Sequence, residues 1–158
     1  MEGSNQFDNQ YMRRALELAK IAAAEGDVPV GAVVVDAKSK LIIGEGYNLA
    51  NVLKDPTMHA EIIAIKEACK NANEKILDRC CIYVTLEPCA MCATAISYAQ
   101  IAKLYYGAQD TKFGAVESNI CIYNSSLSLH APEVYGGILA DESSDLLKVF
   151  FRDKVRKP

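Results

Sequence analysis

The sequence predicts an α/β fold: a mixed central sheet covered by helices on both faces. Three observations carry this. Runs rich in β-branched, aliphatic or aromatic residues at 30–35, 41–47, 81–86 and 103–107 read as strands. Helical patterns alternate with the later strands. Only the short polar turn Lys38-Ser39-Lys40 separates the first two strands, so a hairpin opens the sheet.

Taken in order, Asp8 reads as an N-cap before a helix from Tyr11 to Glu25, with Gly26 as its stop. Met12, Leu16, Ala19 and Ala23 form its apolar face. Val30–Val35 and Leu41–Tyr47 make the hairpin, and Asn48–Pro56 is a loop. Thr57 is the expected N-cap of a helix from His59 to about Ala72. A third strand spans Cys81–Leu86. Pro88 is expected to open a helix that carries Cys89 and Cys92 to about Ala99. Lys103–Gly107 is a fourth strand, Thr111–Val134 has no clear pattern but leaves room for short helical turns, and a last helix spans Asp141 to about Lys154.

At 158 residues the chain suits a single domain, 1–158, with its own core. No apolar run reaches the roughly 20 residues that a bilayer requires, and Met1–Gln10 has no apolar core like that of a secretion signal. Both readings point to the cytoplasm. A net charge of −3 and a pI near 5.4 argue against a broadly basic coat for nucleic acid. A local patch remains open in the tail, where Lys148, Arg152, Lys154, Arg156 and Lys157 outnumber Asp145 and Asp153. The plainer reading of those cations is a helix C-terminus complementing its dipole. Six cysteines in such a chain read as core residues or metal ligands, not disulfides.

Two segments carry the chemistry: His59-Ala60-Glu61 and Pro88-Cys89-Ala90-Met91-Cys92. Cysteines three apart on a helix share a face. Near the helix start they also meet free backbone N–H groups and the positive dipole end, which favour the thiolates that zinc requires. His59 supplies a third ligand, and three protein ligands leave one tetrahedral position open, as in catalytic zinc sites. Residues two apart do not share a face in mid-helix, so His59 and Glu61 converge only on a point beyond the helix end. Glu61 is then placed to act as proton shuttle. Alone, a Cys-x-x-Cys pair is also redox or structural. Cys69, Cys80, Cys81 and Cys121 are available to close a structural site, although they read mostly as core. His130 is the sole rival histidine, and it lacks a glutamate two residues on.

The pairing of His-x-Glu with Pro-Cys-x-x-Cys is the signature of the zinc deaminases. The chain resembles the bacterial tRNA-specific adenosine deaminases over nearly its whole length. The matching segments are Asp27-Val28-Pro29-Val30-Gly31-Ala32-Val33, Gly44-Glu45-Gly46-Tyr47-Asn48, Asp55-Pro56-Thr57-Met58-His59-Ala60-Glu61 and the stretch from Tyr83 to Cys92. Tyr106–Asp110, Tyr135–Leu139 and Phe150-Phe151-Arg152 extend the match. The resemblance implies a cytidine deaminase-like three-layer α/β/α fold with about five strands, one Zn2+ per subunit and a homodimer. It implies hydrolytic deamination of adenosine to inosine at the wobble position of a tRNA anticodon, with the base flipped into the zinc pocket. It further implies that Asn48 bonds the base edge and that Val28, Pro29 and Val30 wall the ring. The Ala60 backbone would read the Watson–Crick edge, and Asp110 would lie near the ribose or the adjoining loop. Each of these also has a plain packing or turn role. Thr94, Gln100 and Phe113 depart from residues common in the family, and 118–129 matches least well; none belongs to the metal set.

Two rival functions share parts of this pattern. A free-base deaminase of the guanine type, or a nucleoside deaminase, would share the metal motifs. Pro29, Val30 and the basic C-terminal segment argue against the guanine type. A noncatalytic, zinc-stabilised RNA-binding protein would need neither Glu61 nor an open coordination position.

Overall fold

A computed structural model describes residues 2–127 and 130–156, with backbone alone at 2–7 and 155–156. Five strands form one sheet in the order β2-β1-β3-β4-β5. They are β1 (Gly31–Asp36), β2 (Ile42–Tyr47), β3 (Cys80–Leu86), β4 (Lys103–Ala108) and β5 (Glu133–Tyr135). β1 runs antiparallel to both β2 and β3, whereas β3, β4 and β5 are mutually parallel. The mixed sheet expected from the hairpin and the alternating helices is the one observed.

The helices are α1 (Glu2–Ala24), α2 (Ala60–Ala72), α3 (Ala90–Tyr98) and α4 (Ala140–Arg156). Successive strand residues point to opposite faces, and β1 is covered on both. Ala32 and Val34 belong to a core with Ala60, Ala64 and Ala68 of α2 and Ile96 of α3. Val33 and Val35 meet Met12, Ala15 and Leu16 of α1, with Leu146 of α4 packed alongside. This produces three layers, with α2 and α3 on one face and α1 and α4 on the other.

Close approach of α2 depends on glycine. A Cβ on Gly44 would lie 2.2 Å from the Ala64 carbonyl oxygen, and one on Gly46 2.4 Å from that of Ala60. With hydrogen at both positions, the first turns of α2 rest directly on β2. That contact sets the height at which His59 and Glu61 meet the end of the sheet.

Four local expectations are corrected. α1 begins near Glu2, so Asp8 lies inside it and is no cap; its carboxylate accepts the Tyr83 hydroxyl at 2.8 Å. Thr57 does not cap α2, because its hydroxyl donates to Asp55 Oδ1 at 2.7 Å within a turn and the helix starts only after His59, the true N-cap (ψ 153°). Pro88 likewise precedes the N-cap of α3, which is Cys89. The described residues of 111–134 hold turns and the short 3-10 helix Ile122–Asn124, as expected, but β5 also begins at its end. Three residues are too few for a periodic signal, and β5 exists because β4 offers it a parallel edge.

Candidate active site

His59 and Cys89 occupy equivalent positions: each is the extended residue just before a helix. An N-cap side chain projects beyond the helix end rather than along its flank. The two helix starts therefore present side chains to a common point, and Cys92, one turn into α3, joins them from below. Cys89 Sγ lies 3.6 Å and Cys92 Sγ 3.5 Å from His59 Nδ1. The three ligand atoms all lie within 4.8 Å of one another, and among the described residues they are the only such cluster.

Ideal tetrahedral zinc, with Zn–S near 2.3 Å and Zn–N near 2.05 Å, puts sulfur and nitrogen about 3.5 Å apart. The observed separations fit that requirement, and the imidazole with two thiols is a donor set zinc favours. All six cysteines are free, and Cys69, Cys80, Cys81 and Cys121 lie outside the cluster. His130, the rival histidine, donates instead from Nε2 to the Ile101 carbonyl at 2.9 Å. The site thus offers three candidate protein ligands, which would leave a tetrahedral ion one further position.

The electrostatics of the cluster follow from contact and burial. The Cys89 thiol is pulled down to about 4 by hydrogen bonds from Cys92 and His59, against the opposing effect of burial. Cys92 is pushed up, first by its bond to the Cys89 sulfur and then by burial. His59 is raised chiefly by its bond to Cys89. Glu61, 4 % exposed in the first turn of α2, is pushed up to about 6, with desolvation the leading cause.

These groups open into a cleft of about 900 Å³. Its floor is His59, Ala60, Glu61 and Cys89, and Val28, Val30 and Asn48 form one wall. Asp110 lines it too, but Pro29 is buried and is not among the lining residues. The Asn48 backbone N–H bonds the Val30 carbonyl, whereas its side-chain Oδ1 is buried without a partner. A buried acceptor left unpaired costs roughly 1–3 kcal/mol, a cost that a donor entering the cleft would relieve. Asp110 also has a local role, in which Oδ1 accepts the N–H groups of Lys112 and Phe113 and closes a turn.

The opposite wall was not legible in the motifs. Gln109, Thr111, Lys112 and Phe113 come from the loop after β4, and Leu147 and Phe151 from α4. Leu147 and Phe151 are four apart, so they share one helical face. The other unforeseen group is Glu87. Its side chain is buried, and Oε2 accepts the backbone N–H groups of Val116, Glu117 and Ser118 while Oε1 accepts that of Asp110 and the Ser118 hydroxyl. Burial opposes its charge, but these donors outweigh it and hold the carboxyl below its usual range. An acid inside the apolar run Tyr83–Pro88 was the available signal.

Residues 5–108 match the family model for the cytidine and deoxycytidylate deaminase zinc-binding region, a span that includes His59, Cys89 and Cys92. The chain is 50 % identical over 145 residues to the tRNA-specific adenosine deaminase of Rickettsia bellii (strain RML369-C), covering 92 % of this chain and 99 % of that protein. It belongs to the tRNA-specific adenosine deaminase family. The Bacillus subtilis (strain 168) member is 37 % identical over 95 % of this chain and 92 % of its own. A solved structure from work on A-to-I editing by tRNA:A34 deaminases superposes with a TM-score of 0.84 at 44 % identity, covering 87 % of this chain and 99 % of that one. The guanine deaminase of Nitrosomonas europaea shares the fold, with a TM-score of 0.76 at 22 % identity over 90 % of this chain and 83 % of that one. Members of the family carry zinc in this region, and the donor set here fits it.

Proposed function

We propose that this protein hydrolytically deaminates adenosine to inosine at the wobble position of a tRNA anticodon. The observation that carries the reading is the cluster of three metal-donor side chains beside an unpartnered buried Asn48 oxygen in one cleft. The identity with tRNA-specific adenosine deaminases over 92 % of the chain supports the choice of substrate. His59, Cys89 and Cys92 would hold one zinc per subunit. Zinc there supplies a Lewis acid that makes water a nucleophile near neutral pH.

Glu61 is the acid–base residue. Water adds its oxygen to C6 of the purine, the C6–N6 bond breaks, and the amino group leaves as ammonia. Glu61 carries the two water protons in turn, the first to the ring nitrogen N1 as the oxygen adds and the second to the amino group as it departs. Asn48 bonds the base edge, Val28 and Val30 wall the ring, and the Ala60 backbone reads its Watson–Crick edge. Pro29 fixes the backbone between them, and Asp110 shapes the ribose side.

The described residues serve as one deaminase domain, acting in the cytoplasm, where tRNA is decoded. A homodimer would cover exposed apolar side chains such as Leu53, Tyr98 and Ile120. Among the described residues no helix is long and apolar enough to cross a membrane. The test is direct: purified protein is given tRNA with an anticodon adenosine and, separately, guanine, adenosine and cytidine. Ammonia release from the tRNA is expected. Release only from a free base or nucleoside overturns the assignment.

A further inference from the structure

Among the described residues, the Glu87 carboxylate is the densest side-chain hydrogen-bonding point that no step above uses. It stands two residues before Cys89, and its five donors all come from residues 110–118. The first part of that segment, Asp110–Phe113, lines the far wall of the cleft, and 114–118 lead away from it. Two further contacts fasten the two stretches, and a third closes the loop on itself. Ala115 N–H donates to the Pro88 carbonyl at 2.9 Å, Cys89 and Gly114 form a β-bridge, and Asn119 Nδ2 closes the loop on the Gly114 carbonyl at 2.9 Å. Gly114 itself leaves no slack: a Cβ there would lie 2.5 Å from Glu87 Cδ and 2.4 Å from the Asp110 carbonyl oxygen.

The geometry points to Glu87 as a positioning residue that sets the substrate-facing wall against the Cys89 ligand. The inference rests on the deaminase reading of the cleft. Backbone N–H groups at 110, 116, 117 and 118 have no sheet or helix to satisfy them, and a single buried carboxylate does so instead. Without it, Gln109–Phe113 lose their reference to the metal side. A glutamine keeps one acceptor oxygen but turns an NH2 toward either the Asp110 N–H or the three donors at 116–118. It therefore breaks part of the anchor at nearly constant volume.

The experiment uses the full zinc-loaded chain, with Glu87→Gln assayed on an anticodon stem–loop RNA carrying the wobble adenosine. We expect KM to rise about tenfold, the loss of one or two hydrogen bonds to a charged group. kcat should stay within about twofold and zinc content should not change, because the ligands and Glu61 are untouched. Amide hydrogen exchange should speed up at Asp110, Val116, Glu117 and Ser118 while β3 and β4 keep their protection. A fall in kcat at constant KM, which is the mark of a smaller folded fraction, overturns the inference, as does unchanged exchange at those four amides. If Glu87→Gln fails to fold, Ser118→Ala takes its place. It removes one donor and should raise KM about threefold, with faster exchange at Asp110; wild-type behaviour in both readouts overturns the inference. If the wild-type protein turns over no RNA, the deaminase reading fails by itself, and exchange alone decides the role of Glu87.

Discussion

The two walls of the cleft are built in different ways. The metal side comes from two helix N-termini, where three ligands and a carboxylate lie within short motifs. The opposite side is gathered from the loop after β4 and from α4, with residues as far apart as Gln109 and Phe151. Local spacing is enough to aim His59, Cys89 and Cys92, because an N-cap and the first turn of a helix have one geometry. The far wall has no repeating backbone to aim it and depends on Glu87 and on how α4 packs. Chemistry and substrate recognition should therefore fail separately.

The largest expected effect tests the metal side alone. Glu61→Ala should lower kcat by about 10²–10⁴-fold or more, the usual contribution of a positioned acid–base group. Zinc content and the circular dichroism spectrum should stay as in wild type. Near-wild-type turnover would reassign the proton transfer. Cys92→Ala should behave differently and lose zinc, which metal analysis after dialysis measures, together with activity.

Asn48→Ala addresses the boundary between the walls. Its unpartnered oxygen is worth roughly 1–3 kcal/mol to a bound donor, or roughly 5- to 100-fold in kcat/KM. The folded protein should be no less stable, since that oxygen bonds nothing in the free chain. A drop in melting temperature with unchanged kcat/KM would make Asn48 a packing residue.

The basic tail tests the far wall from outside. Deleting 152–158 removes Arg152 and Lys154 just beyond Phe151, which lines the cleft. Binding to tRNA should weaken, and the slope of log Kd against log salt should flatten by about 0.7–0.9 for each phosphate no longer neutralised. An unchanged slope leaves those cations as helix-end charges. Arg152 already contacts Asp153 at 3.5 Å, and Lys154 sits 6.0 Å above the Phe150 ring. Lys157 lies outside the described residues.

The smallest effect lies far from both walls. The Asp36 carboxylate accepts the N–H groups of Ser39 and Lys38, which hold it below its ordinary value. A depressed folded value contributes stability above the unfolded value near 4. That contribution disappears as the pH falls through the folded value. Asp36→Ala should lower the melting temperature slightly at pH 7 and have a smaller effect near pH 3, with activity unchanged at pH 7.

Much of the fold was legible because alternating helical and strand patterns leave few arrangements of layers. The errors were local. Thr57 carries a good capping side chain, yet Asp55 engages it first and the helix starts at His59. Asp8 has the chemistry of a cap, yet α1 continues past it toward Glu2. β5 left no trace, since a three-residue strand is stabilised by its neighbour and not by its own pattern.

What the sequence determined by itself is the His59, Cys89 and Cys92 cluster, the proposed proton carrier Glu61 beside it and the layered architecture. Each follows from spacings of a few residues on regular backbone. Only the tertiary structure decided which acid builds the far wall, that Pro29 does not line the cleft, and that Leu147 and Phe151 reach it. Those placements depend on hydrogen bonds and packing between segments distant in the chain, and no short-range periodicity encodes them.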